Sequence, residues 1–119
     1  MFQKNLRLAY LLDFYREILD EHTRSIMCAY YEDDLSLAEI AEDVGISRQG
    51  VRHVIKKAED EIEFLESKLH IAEQFEKTTS AMEDLRTVAE ALMHSDDAYA
   101  KEASLAIEKA IEKIRDRQE

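Results

Sequence analysis

The stretch that decides the fold is DLSLAEIAEDVGISRQGVRHVIKKAEDEIEF, residues Asp34–Phe64. Its apolar residues fall at helical steps on both sides of a single glycine. Ser36 and Glu39 stand three apart ahead of the first apolar run, which is the spacing of a capping box. Gly45 interrupts that run where a turn between two helices needs positive φ, a conformation glycine adopts at no steric cost. Ser47 then opens a second helix. Ala41 is small enough for two helices to cross closely, and Ile40, Val44, Ile46, Val51 and Val54 supply the apolar contacts that lock them. Leu37–Lys56 therefore reads as a helix-turn-helix.

From Val51 onward the apolar residues are Val51, Ile55, Ala58, Ile62, Leu65 and Leu69, alternating steps of four and three. That is a heptad seam. It predicts a long helix whose seam packs under neighbouring helices of the same chain or, alternatively, forms a coiled coil. Upstream, Leu8, Leu11, Leu12, Tyr15, Ile18 and Leu19 line one face and predict a helix over residues 2–19. Asp20 is placed to cap a second helix carrying Ile26, Met27, Tyr30 and Tyr31, which ends against the acidic run Glu32–Asp33–Asp34. Downstream, two more amphipathic segments flank HSDDA, with Ser95 or Asp96 as the expected cap, and predict an antiparallel helical hairpin. The expected organisation is a helix-turn-helix domain over residues 1–70, with the motif at 37–56, and a helical extension over 71–119.

Composition agrees with an all-α chain. There is no proline, there are two glycines in 119 residues, and no strictly alternating strand pattern occurs. A single Cys28 allows no internal disulfide and suits a reducing compartment. The opening MFQKNLRLAYLLDFYREILDEH resembles a signal peptide only briefly, because Asp13, Arg16 and Glu17 break its apolar part. No apolar run approaches the roughly 18 residues of a membrane span. A cytoplasmic protein is expected.

Acids outnumber bases by 27 to 16, a net charge of −11. Neutralised phosphates supply most of the affinity of non-specific nucleic-acid binders, so any such surface here must be a local patch. The helix after Gly45 carries one. At about 100° per residue, Arg48, Gln49, Arg52, His53, Lys56 and Lys57 share the arc opposite the apolar residues. Arg and Gln suit bidentate contacts to base edges, and Lys suits phosphates. The helix start at Ser47 adds backbone amides. Beyond them Glu59, Asp60 and Glu63 reverse the sign, so a duplex meets only the first turns of the helix. About four phosphate contacts imply a salt slope near 3–4, and specific binding then requires a homodimer or a second partner. The same pattern also fits solvated surface pairs such as Lys56 with Asp60.

Nothing points to catalysis, a cofactor or a metal. His22, His53, His70 and His94 are scattered, no paired ligand spacing involves Cys28, and no glycine-rich phosphate loop occurs. Dimerisation is expected through the heptad seam or through the alanine-lined faces at 100–114.

YYEDDLSLAEIAEDVGISRQGVRHVIKKAE, with LLDFYREIL before it and LESKLH after it, resembles the YlxM-type proteins of Gram-positive bacteria over residues 6–72. The resemblance implies a helix-turn-helix like region 4 of sigma-70 factors. From gene neighbourhood, it also implies a regulatory role in the signal recognition particle pathway, through that particle's GTPase or its RNA. It carries a nucleic-acid surface onto Ser47, Arg48, Gln49, Lys56 and Lys57. Gly50 stands where that family usually has alanine. Arg52 and His53 replace what is commonly an aromatic or acidic pair, which makes this arc more basic. A DNA-binding regulator that reads double-stranded DNA is the alternative.

Overall fold

The computed structural model describes residues 5–118. Residues 2–4 of the expected first helix lie outside them. The described residues form six α-helices and no strand: α1 Leu6–Tyr15, α2 Glu21–Tyr31, α3 Leu37–Val44, α4 Arg48–Leu69, α5 Ile71–Met93 and α6 Ala98–Gln118. The chain divides into two compact units, residues 1–72 and 73–119.

In the first unit, α1 is shorter than its periodicity predicts. Asn5 caps it, its side chain accepting from the amides of Arg7 and Leu8. The helix stops at Tyr15, a tighter 3-10 turn covers Arg16–Ile18, and Leu19 is extended. The cause is a side chain from the next helix. The Arg24 guanidinium donates to the Arg16 carbonyl at 3.1 Å and the Leu19 carbonyl at 3.0 Å, so these oxygens are satisfied without further helix. Leu19 remains buried while Ile18 turns out to solvent. Asp20 then caps α2 as expected, accepting from the Thr23 amide at 2.8 Å.

The helix-turn-helix follows its sequence signals closely. Ser36 and Glu39 form both bonds of the capping box. Gly45 sits at φ 75°, ψ 30° and closes α3, and Ser47 Oγ accepts from the Gly50 amide at 3.0 Å to open α4. Helices α1, α2 and α3 all pack on α4. Tyr15, Ile26, Met27, Val51 and Ile62 lose all their exposure in the core they share. The seam residues Val51, Ile55, Ala58 and Ile62 are thus consumed inside the unit and are not free for a coiled coil.

The seam also departs from its heptad. Leu65 is half-buried, Leu69 is exposed, and the buried position between them is Glu66. Its carboxylate accepts from Tyr15 Oη at 2.5 Å and from the Ala72 amide at 3.0 Å. Burial and this carboxylate together push the Tyr15 phenol up to about 12. One acid therefore ties α1, α4 and the first turn of α5. The break between α4 and α5 falls at His70, a non-glycine at φ 54° whose amide closes α4 on the Glu66 carbonyl.

In the second unit, α5 and α6 fold back across a short turn. Asp97 caps α6, its carboxylate accepting from the Tyr99 amide at 2.9 Å, in place of the expected Ser95 or Asp96. Ser95 instead accepts from the Asp97 amide, shaping the turn and leaving the next acid to cap. Buried Ser104 donates to the Ala89 carbonyl at 2.7 Å, pinning the two helices. Among the described residues of this unit, Met82, Ala89 and Ile111 are also buried.

Candidate nucleic-acid interface

The candidate surface is the solvent side of α4. Val51, Ile55 and Ala58 turn inward, which forces Arg48, Gln49, Arg52, His53, Lys56 and Lys57 outward, and all six are exposed. They do not form one continuous patch.

Arg48, Gln49 and Arg52 gather around an open concavity whose fourth wall is Leu37, the first residue of α3. A helix-turn-helix brings the starts of its two helices together, and that geometry was the available signal for Leu37. His53 and Lys57 lie round the helix in a separate cleft with Asp20, Thr23, Val54, Ala58 and Glu61. Two carboxylates there offset the Lys57 charge. The Thr23 amide, above all, holds the Asp20 carboxyl below its ordinary range, so it stays ionised. Lys56 pairs with Asp60 at 3.2 Å. Both partners are largely exposed, so the pair is weak and a phosphate could displace the acid. Ser47 spends its hydroxyl on the Gly50 amide, so the cap takes one of the helix-end N–H groups.

The acids beyond these residues behave differently from the expected repelling arc. The Tyr31 hydroxyl donates to Glu59, which is half-buried. Arg7 reaches Glu63 through two bonds, at 2.9 and 3.2 Å. Helices α1 and α2 thus draw two of the three acids on that arc toward the body of the unit. Burial, with Glu59 adding to it, pushes the Tyr30 phenol up, and the charge of Arg52 works against that shift. Tyr30 and Tyr31 are both buried, with rings edge to face at 5.0 Å, so neither offers a face for stacking bases.

Among the described residues, no cluster of His, Cys, Asp and Glu is arranged to hold a metal ion. None of their helices is long and apolar enough to cross a membrane. Cys28 is half-buried, and burial pushes its thiol up, away from the reactive thiolate.

A capped, glycine-turned helix pair with a 22-residue second helix defines a helix-turn-helix protein. Residues 2–103 match the UPF0122 family, described as "Putative helix-turn-helix protein, YlxM / p13 like". The chain belongs to this family. It is 40% identical to the UPF0122 protein of Halalkalibacterium halodurans over 88% of this chain and 96% of the relative. A UPF0122 protein of Shouchella clausii is 45% identical over 72% of this chain and 79% of its own. One from Bacillus thuringiensis is 37% identical over 96% and 99%. The similarity runs past residues 6–72, which carry the sequence resemblance, and takes in most of the second unit.

Proposed function

We propose that this chain is a non-enzymatic regulatory protein of the signal recognition particle pathway that contacts nucleic acid through the first turns of α4. One observation carries the nucleic-acid half: Arg48, Gln49 and Arg52 converge, exposed, on one concavity at the start of the second helix of a helix-turn-helix. Recognition helices present their N-terminal residues in this way. The pathway half rests on the resemblance to YlxM-type proteins, and its partner is the particle's GTPase or its RNA. The acidic body suits a basic protein surface, while the cationic concavity suits phosphate. An RNA duplex is met by shape and phosphate, because its deep, narrow major groove excludes a helix.

Affinity capture of the tagged chain from cells, with and without nuclease, tests this reading. Particle protein or RNA should be recovered, and an Arg48→Ala/Arg52→Ala variant should lose the nuclease-sensitive part. Recovery of neither component by the wild-type chain overturns the pathway assignment.

A second reading, a regulator that reads double-stranded DNA, is favoured by the exposed Arg and Gln at the start of α4, which match guanine and adenine edges. It requires a preferred genomic site, with affinity falling at a salt slope of about 3. Equal binding to random duplex removes it.

A further inference from the structure

We propose that one face of the α5–α6 hairpin is a self-association surface, on which a second copy of this chain docks to close an antiparallel four-helix bundle. The inference is independent of what α4 binds.

A pair of helices has one line of mutual contact, here Met82 and Ala89 on α5 against Ser104 and Ile111 on α6. Each helix carries a second apolar stripe beside it. On α5 this is Ala81, Leu85, Val88 and Leu92, at steps of four, three and four. On α6 it is Ala103, Ile107, Ala110 and Ile114, at the same steps. Much of this surface is in water: Leu85 is 41%, Val88 50% and Ile114 36% exposed, and Ala81, Ala103 and Ala110 are exposed as well.

Both stripes lie about 80° round their helix from the contact line, in the same rotational sense. Because the helices are antiparallel, the same sense puts both stripes on one face. Heptad spacing on two adjacent helices is the pattern that a second helix pair fills, and the alanines let it approach closely.

Charge selects the occupant. Ala89 is level with Ser104, so Asp84 on the outer flank of the α5 stripe is within about one turn of Lys113 on the outer flank of the α6 stripe. A two-fold axis along the bundle sets α5 of one copy beside α6 of the other. It brings Asp84 to the partner's Lys113, and does so twice. Nearer the turn, Glu102 comes level with the uncharged Ala91. Toward the open end, Lys77 is already paired with Glu73 at 3.1 Å, so the attraction sits at mid-helix. The two helices give a face about 30 Å long and about 20 Å wide, about 1,200 Å² counting both copies. That is the lower edge of specific interfaces, and it fits a dimer that dissociates at low concentration.

Sedimentation of the full chain between about 1 and 100 µM, with circular dichroism alongside, tests the proposal. The wild-type chain should dimerise within that range. Leu85→Glu/Val88→Glu should weaken the dimer at least about 100-fold with helicity unchanged, since both residues are exposed. Asp84→Lys should weaken it roughly tenfold, each pair occurring twice. Adding Lys113→Glu to Asp84→Lys should restore it. A wild-type monomer at 100 µM, a dimer indifferent to Leu85→Glu/Val88→Glu, or an Asp84→Lys/Lys113→Glu variant no tighter than Asp84→Lys alone would each overturn the proposal.

Discussion

The two units of this chain are built from the same kind of helix and reach different ends. Up to Ala72, three helices enclose one side of α4, and large residues such as Tyr15, Ile55 and Ile62 lose essentially all contact with water. From residue 73 onward, two helices of similar length bury few side chains, two of them as small as Ala89 and Ser104. Amphipathic periodicity is equally clear in both. The difference is the number of neighbours: a helix with apolar residues on more than one side needs more than one partner, and α4 has three within its own unit while α5 and α6 have each other.

Core truncations should separate the two most sharply. Ile62→Ala removes a fully buried side chain from the first unit and should cost about 3 kcal/mol by urea denaturation. Met82→Ala, in the sparser hairpin, should cost well under half as much. Equal losses would mean that the hairpin is as tightly packed as the core around α4. Next in size is Glu66→Ala, which strips Tyr15 Oη and the Ala72 amide of their acceptor and should cost about 2 kcal/mol. Gly45→Ala follows at about 1 kcal/mol. A methyl there meets no atom within 4 Å, so the whole cost is the left-handed backbone.

Two smaller effects refine the picture of the first unit. Gly50→Ala should stabilise it by about 0.5 kcal/mol through helix propensity. The added carbon would lie 3.2 Å from Ser47 Oγ, and that exposed hydroxyl can move by a few tenths of an ångström. The Asp20 and Glu39 carboxyls are held below their ordinary values by the helix-end amides of Thr23 and Ser36 respectively. A lowered folded value means the caps contribute in full above about pH 4, the unfolded range, and less as pH falls through the folded values. Tyr15, raised to about 12, acts at the other end. Its contribution is complete below about pH 10 and is lost as pH climbs through 12. Thermal melts across pH 3–6 and 9–12 should show both slopes, the alkaline one shallower in Tyr15→Phe, with the remainder left to Cys28, Tyr30 and Tyr31, which are raised as well.

Sequence made the caps of α2, α3 and α4 legible because each rests on residues within four positions of one another: Asp20 with Thr23, Ser36 with Glu39, Ser47 with Gly50. The end of α1 was not legible, since it depends on Arg24 reaching back from another helix. Nor was the break at His70. The heptad runs to Leu69, no glycine follows, and the residue that fixes the joint is a glutamate whose partners come from α1 and α5. At the candidate interface, periodicity placed Arg48, Gln49, Arg52, His53, Lys56 and Lys57 on the solvent side of α4, where all six are exposed. It could not show that Lys57 shares its cleft with Asp20, because that proximity comes from how α2 crosses α4.

The tethering of Glu59 by Tyr31 and of Glu63 by Arg7 bears on how this molecule should be handled. A peptide cut to the two motif helices and the turns after them would lack both tethers. Glu59 would be free to swing toward Arg52 and Glu63 toward Lys56, shielding the cations that a phosphate must reach. Such a minimal fragment would understate the parent's affinity, however well it kept its helicity, so ligand screens belong on chains that retain α1 and α2.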